Sequence, residues 1–246
     1  MKKVNLLLGS VLVLFALKSV YSEDSQGLST LFIQLLNDNK TAYKAEQYQI
    51  SEKAGVKTLI QKDQYGSTLT YRFDRKNWFL GLDFTSDVST VTGTAGMYFK
   101  PDGSPIVGVS IITDKFGGPS QQMSEILFEE FSCDVTKGQT CPGRNVTAAI
   151  FPQLSVTDFV AADAESKAAF AARPGEKLIR YEIPRNGTNI TASLWLYSVN
   201  GDPNVLAGDK KILRYTHCKI GWVKKQAKFE KGKCSKKSGD GLYYGN

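Results

Sequence analysis

The spacing of apolar residues changes period several times along the chain. Leu28, Leu31, Phe32, Leu35 and Leu36 recur at i, i+3, i+4, i+7 and i+8. That spacing predicts an amphipathic helix over 25–37 whose apolar face packs into a core. Between 56 and 113 the period drops to two. Leu69, Tyr71 and Phe73 alternate with Thr68, Thr70 and Arg72, and Trp78, Leu80, Leu82 and Phe84 alternate with Phe79, Gly81 and Asp83. Tyr98 and Phe99 lead into Pro101-Asp102-Gly103, a turn in which Pro presets φ and Gly accepts a positive one. Val107, Val109 and Ile111 follow. The pattern predicts an antiparallel meander of about five strands, apolar on one face and needing a covering layer.

Gly117-Gly118-Pro119 interrupts this pattern, and Ser120 is placed to cap a helix carrying Met123, Ile126, Leu127 and Phe131. An Ala-rich stretch over 158–172, ended by Pro174-Gly175, predicts a third helix. Strands then return. Ile179, Tyr181 and Ile183 alternate with Arg180 and Glu182, and Asn186-Gly187 signals a hairpin turn with positive φ at both positions. Ile190–Val199 is apolar on both faces, as a central strand would be, and Lys211–Cys218 reads as the last clear strand. The expected fold is α+β, mainly antiparallel β-meanders with about three helices. The expected divisions are a leader over 1–22, a helix plus meander over 23–118, an α+β region over 119–222 and a Lys-rich tail over 223–246. Any boundary between the halves falls near Phe116–Ser120.

The leader reads as an export signal. Met1-Lys2-Lys3 is followed by an apolar run from Leu6 to Leu17 and by Val20-Tyr21-Ser22, so cleavage is expected before Glu23. No later stretch approaches the ~18 apolar residues of a membrane span, so none is expected in the mature chain. Export places the protein outside the cell, or in the periplasm of a bacterium, where Cys133, Cys141, Cys218 and Cys234 can oxidise. Local pairing would join 133–141 and 218–234; a long-range scheme would join 133–218 and 141–234. Sequons at Asn39, Asn145, Asn186 and Asn189 mark surface loops open to glycosylation in a eukaryotic source.

Composition narrows the chemistry. At 41% hydrophobic and 11% aromatic residues the chain is not a disordered one, and a single His excludes any mechanism or metal site that needs two. Charge is unevenly spread. Residues 210–246 hold 11 Lys or Arg against Glu230 and Asp240, whereas 23–209 hold 17 basic and 22 acidic residues. Lys219, Lys224, Lys225, Lys228, Lys231, Lys233, Lys236 and Lys237 supply most of this basic end. Such a segment is either a solvated tail or a surface for an anionic extracellular partner, a sulfated glycan or an acidic membrane. Nucleic acid is a third partner, with Tyr215, Trp222, Phe229, Tyr243 and Tyr244 as base platforms. Export reduces access to nucleic acid, and Lys gives little bidentate specificity.

Catalytic constellations are sparse. Thr216-His217-Cys218 places His before a Cys as chymotrypsin-like proteases do, yet too little chain follows for their acid and serine, and no Gly-Asp-Ser-Gly or Gly-x-Ser-x-Gly occurs. Glu129-Glu130, adjacent on the expected helix, diverge rather than flank a sugar. Neither a calcium loop nor a phosphate loop is present. No catalytic residue, metal ligand or cofactor is therefore assigned. An aromatic-lined cavity inside the meander, holding an apolar ligand as lipocalins do, is the alternative architecture, as a carrier or an enzyme.

Phe131-Ser132-Cys133, Leu178-Ile179-Arg180-Tyr181, the turn at Asn186-Gly187-Thr188, the run Leu194–Val199 and Tyr215-Thr216-His217-Cys218-Lys219-Ile220-Gly221 together resemble the VirK family of secreted proteins over residues 128–222. The resemblance implies an exported domain in which Cys133 and Cys218 form the natural pair. It carries no catalytic residue. The functional expectation is a secreted, non-enzymatic interaction protein with a basic C-terminal segment.

Overall fold

A computed structural model describes residues 25–37, 45–115, 122–137, 139, 141–173, 175–196 and 211–236. The expected leader, the boundary at 116–120, Asn39 and Lys237 lie outside the described residues. The 3.6-residue spacing at the start produces α1 (Ser25–Leu36), with Leu28, Phe32, Leu35 and Leu36 all buried. β1 (Gln49–Lys53) precedes the period-two region, which produces β2 (Val56–Lys62), β3 (Thr68–Asp74), β4 (Phe79–Thr85), β5 (Ser89–Phe99) and β6 (Pro105–Lys115). β7 (Gln122–Phe131) and β8 (Gly143–Asn145) extend the same sheet, so eight antiparallel strands lie in chain order. The turn at Pro101-Asp102-Gly103 forms as expected, with Gly103 at φ +85° and its N–H on Lys100 O at 3.0 Å.

A second sheet has the order β12-β11-β10-β9. It comprises β9 (Lys177–Glu182), β10 (Asn189–Leu196), β11 (His217–Val223) and β12 (Lys228–Ser235). β10 is interior to the sheet as expected, but only one of its faces is fully covered: Ile190, Ala192, Leu194 and Leu196 are buried, while Thr191, Ser193 and Trp195 are partly exposed. The loop before it carries positive φ at Gly187 (+83°) alone, because six residues join the strands rather than a two-residue turn. Two short helices complete the described fold: α2 (Thr147–Ile150) and α3 (Ala164–Ala172), the latter capped by Asp163.

The two faces of the large sheet serve different cores. Tyr71, Phe73, Leu80, Leu82, Ala95 and Val109 meet α1, with Phe32 edge-on to Phe73 at 6.0 Å. Tyr98, Ile106 and Phe128, on the other face, pack with Phe151, Ile183, Ile220 and Phe229 under the small sheet. Gly96 sits at that seam: a β-carbon there would lie 2.8 Å from Ile183 Cγ2. Hydrogen bonds also cross the seam. Ser110 Oγ donates to Tyr181 O (2.5 Å), Ile183 N to Thr94 Oγ1 (3.3 Å), and Trp222 Nε1 to Phe99 O (3.2 Å).

Several expectations are corrected. Residues 122–131 form a strand, not a helix. Their apolar residues satisfy either period, and the open edge of β6 offers a full ladder, from Asp114↔Gln122 to Ile106↔Glu130. The strands on either side of 116–121 therefore pair in one sheet. Residues 211–216 are not the last strand: Leu213 makes one bridge to Val160, and β11 begins only at His217. The Lys-rich segment is not simply a tail, since Lys228–Ser235 is a paired strand. The cysteines join locally, Cys133 to Cys141 and Cys218 to Cys234, so the 133–218 pair implied by the family resemblance is not formed.

Candidate functional site

β11 and β12 form a hairpin that orders the basic residues. Val223 pairs with Lys228 beside the tip, where Lys224 and Lys225 occupy a 3-10 turn closed by Ala227 at φ 50°. Cys218 and Cys234 face each other at the far end, and the register slips between Cys218 and Ile220. At that bulge Gly232 lies against Lys219, with a β-carbon position 3.2 Å from Lys219 O. Alternation about the buried Cys218 and Ile220 puts Lys219 on the outer face. Lys219, Lys224, Lys225, Lys228, Lys231, Lys233 and Lys236 are all exposed.

Their environments differ. Lys231 pairs with Asp158 at 3.2 Å, Lys228 lies 3.8 Å from Glu230, and Lys236 donates to Leu213 O at 3.0 Å. Among the described residues, Lys219, Lys224, Lys225 and Lys233 have no acidic partner within ion-pair distance. Of the aromatics interleaved with them, the described Tyr215, Trp222 and Phe229 pack against the second core. Phe229 is buried, and Trp222 and Phe229 meet the Tyr98 ring tilted at 5.7 Å and edge-on at 4.8 Å. Rings committed to the core are not base platforms, so the described part of this segment offers charge rather than stacking. His217 stands across from Ser193 and Ser235, with Nδ1 2.8 Å from Thr216 Oγ1.

Among the described residues, the middle of the large sheet's α1 face is packed rather than hollow. β1 and β8 are opposite edges of an open sheet, and α1 fills that face with Phe32, Leu35 and Leu36. Two cavities border the sheet. A groove of about 360 Å³ crosses the other face of β2–β5 and is bounded by Arg72, Asp74, Phe79, Asp83, Thr92 and Arg185. Arg72 pairs with Asp83 at its rim. Asp74 accepts from Asn77 Nδ2 (2.8 Å) and Arg185 Nε (2.6 Å), linking β3 to the β9–β10 loop. Burial alone would raise the Asp74 pKa, but the hydrogen bonds from Asn77 and Arg185 outweigh it and hold the carboxyl below the usual carboxylate range.

The second cavity, about 210 Å³, lies between α1, β7 and the Cys133–Cys141 loop, with Glu129 on its wall. Glu129 and Glu130 do diverge, but as neighbours on a strand, which send side chains to opposite faces. Glu130 meets Lys100 and Arg144, and those hydrogen bonds lower its pKa. Glu129 points toward α1, where Ser29 Oγ donates to it. Neither cavity was apparent in the sequence, because each joins residues far apart in the chain. Of the sequons, Asn145, Asn186 and Asn189 are exposed. Asn145 Oδ1 accepts from Thr147 N at 2.9 Å.

These features define a disulfide-bonded α+β protein with two antiparallel sheets and, among the described residues, no helix able to cross a membrane. No family model and no curated protein matches the chain. It is similar in fold to a solved domain of an uncharacterized protein from Porphyromonas gingivalis W83, with a TM-score of 0.51 and 15% identity, covering 79% of this chain and 86% of that one.

Proposed function

We propose that the protein is a secreted, non-enzymatic interaction protein that engages an anionic extracellular surface through the β11–β12 hairpin. The observation that carries this reading is the exposure of Lys219, Lys224, Lys225 and Lys233 without acidic partners, on a hairpin clamped by Cys218–Cys234. A fixed array of ammonium groups loses less conformational freedom on binding than a disordered tail would. Lysine reads charge rather than shape, so the partner is a polyanion such as a sulfated polysaccharide, bound with strong salt dependence. The disulfides agree with an oxidising compartment. The similarity of residues 128–222 to the VirK family belongs to the same proposal and adds export alone.

Heparin chromatography of the oxidised protein tests this. Deleting 219–246 would remove two strands of the small sheet, so charge substitution is the better probe. Wild type should be retained at low salt, and Lys224→Glu/Lys225→Glu with Lys219→Glu/Lys233→Glu should elute earlier with an unchanged far-UV spectrum. Identical elution of the two proteins overturns the proposal.

A further inference from the structure

Glu129 is 2% exposed and lies on the face of β7 that α1 covers. Its neighbour Glu130 has two cations. Among the described residues Glu129 has none: its hydrogen-bond donor is the Ser29 hydroxyl. A carboxylate withdrawn from water costs several kcal/mol unless a positive charge compensates it. Here the uncompensated group does not face packed side chains alone. It lines the 210 Å³ cavity, and Gly143 packs closely beside it, since a β-carbon there would lie 3.0 Å from Glu129 Oε1.

The other walls define what complements that charge. Ile33, Phe131, Val135 and Pro142 are apolar, while Thr30 and Gln34 on α1 contribute a hydroxyl and an amide. A hard divalent cation needs about six oxygen ligands, and the described residues contain no cluster of three acidic, His or Cys ligands. One carboxylate beside an apolar wall and an aromatic ring suits a monovalent organic cation, whose N–H groups bond to the carboxylate while its carbon stem lies along Phe131 and Ile33.

We infer that this cavity binds a primary alkylammonium group, with its nitrogen on Glu129. The group belongs either to a small free amine or to a lysine side chain of another protein. No covalent step is involved. The site is separate from the basic hairpin and does not depend on the polyanion reading.

Calorimetric titration of the full oxidised chain tests the inference. Butylammonium chloride should give a saturable heat that neither sodium chloride at equal ionic strength nor butanol reproduces. Glu129→Gln should weaken the interaction at least tenfold. Should that variant fail to fold, intermolecular NOEs in the wild type between the butyl protons and the Phe131 ring or Ile33 methyls locate the ligand. Nα-acetyl-lysine methylamide separates the sources: equal affinity assigns the cavity to a protein lysine, and markedly weaker affinity assigns it to a free amine. The absence of saturable binding, equal binding of butanol, unchanged affinity in a folded Glu129→Gln or NOEs confined to other residues overturns the inference.

Discussion

Cys234 stands directly opposite Cys218 in the ladder between β11 and β12, and the register slips immediately afterwards, beside Lys219. The bridge therefore fixes the pairing of an edge strand that is otherwise rich in lysine and poor in apolar residues. Lys228, Lys231 and Lys233 also discourage another chain from pairing with that edge. Closing a loop of this span, with a sequence separation of 16, is worth about 3 kcal/mol on chain-entropy grounds. Cys218→Ala/Cys234→Ala should lose about that much in urea unfolding. The same replacement at Cys133 and Cys141, separated by 8, should lose about 2.5 kcal/mol.

Gly96 is where the loop after β9 comes down on the large sheet, through Ile183. A methyl group there would force backbone or Ile183 to move, at a cost of about 1–3 kcal/mol. Gly96→Ala should lower the unfolding midpoint accordingly. Thr92→Ala, on the same strand and exposed, should stay within about 0.5 kcal/mol of wild type.

The elements read correctly in the sequence are those whose local pattern admits one period. α1 has five apolar positions on one helical stripe, β3 alternates apolar and polar residues, and β10 sets Ile190, Ala192, Leu194 and Leu196 at alternate positions. β7 was not legible because Met123, Ile126, Leu127 and Phe131 lie on one helical face while Ile126 and Phe128 also share a strand face. The empty edge of β6 decides between the two. β12 was hidden because Lys and Gly are weak strand formers, and because a one-sided edge strand needs only Phe229 and Cys234 facing inward. The lysines of the candidate surface were visible as a composition bias, but the pairing of Lys231 with Asp158 depends on tertiary placement. Glu129 gave no signal, since a carboxylate in sequence is read as solvated.

The β1–β2 connection offers a stabilising change. Lys53 and Val56 close a two-residue turn in which Ala54 and Gly55 have φ of 52° and 76°. Both central positions are left-handed, as this hairpin turn requires, and Ala is poorly suited to the first. Ala54→Asn should raise stability by about 0.5–1 kcal/mol in urea unfolding. A loss would mean that this turn is not populated.

Acid sensitivity should trace to the junction of Asp74 and Arg185. Asp74 is buried, and its hydrogen bonds from Asn77 and Arg185 hold its folded pKa below the ordinary value of about 3.9. A depressed folded pKa means that the unfolded chain binds the proton more readily. The contribution is therefore complete above the unfolded pKa and is lost as pH falls through the lower, folded one. Glu130, held down by Lys100 and then Arg144, acts in the same direction. Thermal midpoints should be flat near neutrality and fall between about pH 5 and pH 2. Asp74→Asn should be less stable than wild type at pH 7 and show a shallower acid decline, so the two curves converge as pH falls. Arg185→Met should also lower stability at pH 7, because it strips the charged partner from a buried carboxylate. Parallel curves for wild type and Asp74→Asn would show that the coupling between β3 and the β9–β10 loop does not depend on that charge.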